Sequence, residues 1–153
     1  MDFVVTRAPF RISFAGGGTD LPSFYEKELG TIVSTTINKY VYVMVNKCRP
    51  LLTKGIDDVG RYHIRLSYSS TENVQSVDQI QHPIVREALK LVGLDIPLDI
   101  ATMADVPAGN GLGSSGTFSV ALLHALHLVK GEDVGPAQLA SEAAQIEICL
   151  LDR

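Results

Sequence analysis

Apolar positions fall into two rhythms along this chain: alternation dominates the first part, and helical spacing gathers toward the end. Phe3 to Thr6 is a short β-rich run. Pro9 is expected to separate it from a second strand, Phe10 to Ala15, where Phe10, Ile12 and Phe14 alternate with Arg11 and Ser13. That alternation puts Arg11 on the more polar face. Gly16, Gly17 and Gly18 end the strand, and a short helical turn over Leu21 to Glu26 follows. Thr31 to Asn46, rich in β-branched and aromatic residues, reads as one long strand or a hairpin arm, and Tyr62 to Tyr68 alternates again. From His82 to Val92 the apolar residues Ile84, Val85, Ala88, Leu89 and Val92 recur at helical intervals, with Gly93 placed to stop the helix. Pro97 to Ala104 is a further expected strand. A glycine-rich loop, Asp105 to Gly113, leads into a helix striped by Phe118, Ala121, Leu122, Ala125, Leu126 and Val129. Pro136 suits the first turn of a last helix reaching about Leu151. Strands early and helices late predict an α+β fold.

Composition narrows this picture without changing it. The 153 residues are 46% hydrophobic and 20% charged, enough apolar material for the core of one domain. A net charge of −4 supplies no electrostatic footprint for nucleic acid or an anionic membrane. No apolar run approaches the length of a membrane span, and the N-terminus is too short and interrupted for a signal peptide, so the expected home is the cytoplasm. Cys48 and Cys149 have no metal-ligand spacing and are expected as reduced thiols. A homodimer is left open by the sequence.

The densest chemistry lies in VPAGNGLGSSGTFSVALLHAL, where strand, glycine loop and helix follow one another. Gly109, Gly111 and Gly113 permit positive φ and close backbone approach to a ligand. A helix beginning near Ser114 turns its first amides and the positive end of its dipole toward the loop, a ready anion site. The hydroxyls of Ser114 and Ser115 can donate to phosphate or bind magnesium, which prefers oxygen ligands. Three readings compete: a glycine turn with a serine N-cap, a dinucleotide fingerprint on Gly111, Gly113 and Gly116, and a triphosphate loop that lacks the Gly-Lys-Ser/Thr of a Walker A motif. The fingerprint lacks a following strand with a ribose-binding acid, and the serines and glycines exceed what a cap requires. The third reading is preferred.

At this loop the sequence resembles the GHMP kinase superfamily, whose motif P-x-x-x-G-L-G-S-S-A is matched by Pro107, Gly111, Leu112, Gly113, Ser114 and Ser115, with Gly116 in place of alanine. The superfamily's N-terminal motif A-P-G-R-x-x-x-x-G-E-H-T-D is met in order by Ala8, Pro9, Arg11, Gly16, Thr19 and Asp20, with Gly17 and Gly18 replacing Glu-His. RAPFRISFAGGGTDLPSFY and the stretch from Tyr68 to Lys90 are similar to the branch that phosphorylates D-glycero-D-manno-heptose 7-phosphate at the anomeric position.

The resemblance implies an N-terminal domain like the second domain of ribosomal protein S5. It also implies a longer chain, in which a ferredoxin-like C-terminal domain and a catalytic aspartate lie beyond Arg153. Residues 1–153 are then the N-terminal part, poorly active alone, and the partners are ATP, a sugar or sugar phosphate and that missing half. ATP and Mg2+ are the implied cofactors. The backbone of Pro107, Gly109, Asn110, Gly111, Leu112, Gly113, Ser114, Ser115 and Gly116 would hold ATP. Ser115, with Ser114 behind it, and Glu147 would hold the metal, with Glu142 as the fallback carboxylate and a solvated helix face as the plain alternative for Glu147. Arg11, Gly16, Gly17, Gly18, Thr19 and Asp20 would form the sugar side. There Arg11 meets a phosphate or makes a surface salt bridge, Asp20 accepts sugar hydroxyls or caps the turn before Leu21, and the Gly17–Gly18 pair opens room for a seven-carbon substrate. His124 and His127, three apart on a helix, are expected at a boundary or surface rather than on a metal. Arg61, His63 and Arg65 are expected on a solvated sheet face. A non-catalytic nucleotide- or sugar-binding module is the rival from another class.

Overall fold

A computed structural model describes residues 1–19, 21–48, 63–107, 109 and 111–150. Its scaffold is a five-stranded sheet: β1 (Phe3–Ala15), β2 (Val33–Lys47), β3 (Ile64–Ser67), β4 (Thr71–Val74) and β5 (Leu98–Ala104). The spatial order is β1-β2-β5-β3-β4, antiparallel throughout except where β3 runs parallel to β5. The helices are α1 (Pro22–Tyr25), α2 (Pro83–Val92), α3 (Ser114–Lys130) and α4 (Pro136–Ala144), the last continued by a π-helical segment, Gln145–Leu150. Mixed α+β content is therefore as expected.

The period-two pattern explains which face is covered. Val41, Val43 and Val45 of β2, Ile64 and Leu66 of β3 and Leu98 and Ile100 of β5 are buried. They meet Val85, Ala88 and Leu89 of α2 and Leu122, Ala125, Leu126 and Val129 of α3 in one core. Each Val, Leu or Ile among them contributes roughly 1.5–3 kcal/mol by leaving water. Thr6 is one buried polar residue beside this core: its hydroxyl donates to the Ala121 carbonyl at 2.7 Å, so its burial leaves no unmet group and β1 is pinned to α3. The opposite sheet face stays open, with Phe3, Val5 and Met103 exposed. Left-handed Gly93 and Gly131 stop α2 and α3.

Two expectations for the N-terminal region need correction. Pro9 does not divide the strand; β1 runs through it, because β1 is an edge strand, where a missing N–H can be tolerated. The pairing register shifts between Pro9 and Arg11, and the buried face changes with it. Phe10 is fully buried, whereas Ile12 and Phe14 on the same nominal face are exposed. Arg11 and Ser13 become the more sheltered pair. The β4 strand and the 3-10 turn Val77–Gln79 were not anticipated, and Tyr62 and Arg61 lie outside the described residues.

Candidate active site

The glycine loop leaves β5 at Asp105, which is anchored twice to Tyr40: its backbone N–H donates to the Tyr40 carbonyl at 3.0 Å, and its Oδ2 accepts from the Tyr40 N–H at 2.8 Å. Gly109, Gly111 and Gly113 adopt φ of 83°, 75° and 69°, a region that L side chains rarely enter. Gly113 is the N-cap of α3 and no side chain caps that helix, so the serine-cap reading is overturned.

The hydrogen bonds around the loop sort its carbonyls from its amides. Arg11 takes two carbonyls: its backbone N–H donates to Leu112 at 3.4 Å and its Nη1 to Gly111 at 3.2 Å. The Gly113 carbonyl accepts from Thr117 N–H and Oγ1 at 3.0 and 2.9 Å. Among the described residues, no acceptor takes the backbone amides of Ser114, Ser115 or Gly116. The Ser115 hydroxyl is buried and likewise without a partner there. Free donors thus collect at the positive end of α3.

Above them opens a cleft of about 890 Å3, lined by Ser114, Ser115, Asp105, Val106 and Pro107 on one side. An aromatic wall is part of the same lining: Tyr68 and His82 meet edge to face at 4.9 Å between ring centroids, and His82 and Phe118 lie 5.3 Å apart. Glu72 orients this wall. It accepts from the Tyr68 hydroxyl at 2.9 Å and from the backbone of Gln81 and His82. Accepting that hydrogen bond raises the Tyr68 phenol above its ordinary value. Sequence reasoning missed these residues. Phe118 was read as part of the core stripe, and Tyr68 and His82 carry no local motif; only the β3–β4 turn and the start of α2 bring them together.

Glu147 reaches the first turn of α3 from the π-helical segment, its Oε2 3.4 Å from where a Cβ on Gly116 would stand. Glu142, the fallback, is elsewhere: it is held by His127 at 2.8 Å and by Gln138 at 2.8 Å, toward the other end of α3. His127 is itself a correction, being buried between two carboxylates rather than at a surface. No group of three or more His, Cys, Asp or Glu able to hold a metal occurs among the described residues. A cation here would rely on hydroxyl, single carboxylate and ligand oxygens, which suits magnesium.

The turn of Gly16 to Thr19 follows the end of β1, the strand that carries Arg11. The Thr19 hydroxyl donates to the Gly16 carbonyl at 2.8 Å, closing the turn on itself. A Cβ on Gly16 would come 1.8 Å from the Thr31 carbonyl oxygen, so only glycine permits that approach. Gly17 and Gly18 instead border open space. Asp20, Asn110 and the Cys149 side chain lie outside the described residues. His63 pairs with Asp95 at 3.2 Å and Arg65 is exposed, as a solvated face requires.

Comparison with known proteins gives this geometry a context. The family model described as GHMP kinases N terminal domain matches residues 82–152. The likeness is to the GHMP kinases. A D-glycero-alpha-D-manno-heptose 7-phosphate kinase of Campylobacter jejuni is 29% identical over 153 residues, covering 96% of this chain and 44% of that protein. A mevalonate kinase of Methanothermobacter thermautotrophicus is 46% identical over 52 residues, 34% of this chain and 17% of that protein. The crystal structure of a D-glycero-D-manno-heptose 1-phosphate kinase from Bacteriodes thetaiotaomicron superposes with a TM-score of 0.77 at 25% identity, covering 97% of this chain and 49% of that one. The chain thus spans about half the length of the heptose kinases it matches. The GHMP kinase likeness and the strand order together overturn the dinucleotide reading: among the described residues α3 is followed by α4, not by a strand returning beside β5. No helix among them is long and apolar enough to cross a membrane.

Proposed function

We propose that this chain is the N-terminal, nucleotide-holding part of a kinase that transfers phosphate from ATP to a sugar phosphate, with D-glycero-D-manno-heptose 7-phosphate at its anomeric hydroxyl as the favoured substrate. The observation that carries this reading is that, among the described residues, no acceptor takes the amides of Ser114, Ser115 and Gly116 beneath an open cleft. Phosphoryl transfer needs the triphosphate held and its charge offset before an acceptor attacks, and those amides and the α3 dipole meet the first requirement. The aromatic wall of Tyr68, His82 and Phe118 suits the flat face of a purine.

The residues present also fit magnesium. Ser115 Oγ is a buried hydroxyl lacking a partner among the described residues, and Glu147 brings one carboxylate oxygen to the next residue of α3. Ser115 and Glu147 would hold the ion, which would neutralise charge on the transferring group. The open space beside Gly17 and Gly18 supports a substrate larger than a hexose on the sugar side, with Asp20 accepting its hydroxyls. In this reading residues 1–153 form an S5-like domain, and the aspartate that activates the acceptor, with the ferredoxin-like domain, lies C-terminal to Arg153.

Calorimetric titration of the chain with Mg-ATP tests the proposal. Binding should appear with magnesium, weaken with EDTA, and fall about tenfold in Ser115→Ala, the loss expected for one charge-assisted contact. Thermal protection by NAD but not by Mg-ATP would refute it.

A further inference from the structure

The sequence suggests Arg11 as a phosphate contact, but its placement shows a different task. We infer that Arg11 is a positioning residue that gives the glycine loop its anion-binding form. The inference deepens the kinase reading above and rests on it for its functional consequence, though not for its structural one.

Three observations converge on Arg11. Its Nη1 and its own backbone N–H take the carbonyls of Gly111 and Leu112, two consecutive residues of the loop. A peptide unit that directs its carbonyl toward β1 directs the following N–H away from it, so these two bonds orient the amides of Leu112 and Gly113. Its guanidinium also stands where residue 113 would carry a side chain: a Cβ on Gly113 would lie 3.1 Å from Cζ, 3.2 Å from Nε and 3.3 Å from Nη2. The absence of that Cβ lets the planar group lie against the backbone at the N-cap of α3. Thr117 completes the arrangement by taking the Gly113 carbonyl with both its N–H and its hydroxyl.

The register shift after Pro9 is what makes this contact available. With unbroken alternation from Phe10, Arg11 would face away from the covered side; past the shift it is half-buried while Ile12 and Phe14 face outward. The bulge in the edge strand therefore re-aims one side chain at the loop. A fixed cation behind the loop also adds to the positive potential that free amides present to an anion. Lysine would keep the charge but not the fork that spans Gly111 and Gly113.

Amide hydrogen exchange on the ligand-free chain reads this directly, because the bonds exist before any nucleotide binds. In Arg11→Ala, protection of the Thr117 amide and of the amide at residue 11 should fall about tenfold, while core amides such as Leu122 and Val43 keep theirs. Arg11→Lys should leave Thr117 protection reduced, and it serves as the test if the alanine variant does not fold. Unchanged protection in a folded variant, with loss of Mg-ATP affinity alone, would overturn the inference in favour of direct phosphate contact. Failure of the wild-type chain to bind Mg-ATP would defeat the kinase reading yet leave the exchange result to decide on Arg11.

Discussion

His127 Nε2 lies 2.8 Å from Glu142 Oε2, joining the last turn of α3 to α4 inside the fold. The other ring nitrogen, Nδ1, faces Glu132 Oε2 at 2.7 Å. The ring thus bridges a carboxylate of the segment after α3 and one of α4. Replacing His127 by alanine should lower unfolding free energy by about 2 kcal/mol, mostly by stranding the sheltered Glu142 carboxylate. Urea denaturation would register this as a lower midpoint; an unchanged midpoint would show the pair to be an idle contact.

Acid sensitivity follows from the same corner of the molecule. Lys130, and after it His127, hold the Glu132 carboxyl below its ordinary value of 4.5. A carboxyl lowered in the folded state stabilises the fold fully above the ordinary value and loses that contribution as pH falls through the folded one. Lys90 acts on Asp78 with the same sign. Urea midpoints taken from pH 7 down to pH 3 should therefore decline at the acid end, and Glu132→Gln should make the decline shallower. An identical acid limb in the variant would contradict the assignment.

Two glycines of the turn that follows β1 should behave oppositely on substitution. Gly16→Ala drives a Cβ into the Thr31 carbonyl at a φ of 77° and should destabilise the chain by at least about 2 kcal/mol. Gly17→Ala meets only Ser13 Cβ at 3.9 Å and should shift stability by less than about 0.5 kcal/mol. Thermal melts of the two variants side by side settle the contrast, which equal losses would abolish.

Cys48 is a half-buried free thiol, and its pKa is pushed up to about 11 from 9.0, first by burial and then by hydrogen bonding to Asp99. Because the thiolate is the reactive form, alkylation of Cys48 at pH 8 should run roughly 100-fold slower in the folded chain than after unfolding. Peptide mapping after a timed iodoacetamide pulse would measure it. Equal rates in the two states would show the thiol to be unshielded.

Much of this was legible locally. Gly93 behind a helical stripe, Pro136 at a first turn and three glycines before Ser114 each act through neighbours a few residues away, and each stands where the pattern put it. The turn from glycine loop into helix was readable for the same reason. What could not be read were contacts made across the chain. Pro9 looked like a break because its tolerance depends on β1 being an edge, which pairing alone decides. Glu142 and Glu147 are five residues apart on neighbouring helical turns, and their sequence context gives no hint that one is taken by His127 while the other reaches Gly116.

The amino-acid sequence by itself determined the helices, most of the strands and the glycine loop, since periodicity and backbone permissiveness are properties of short segments. Only the tertiary structure decided which donors the loop leaves free. Arg11 meets Gly111 across 100 residues of chain, and the register shift that aims it there exists only once β1 and β2 have paired.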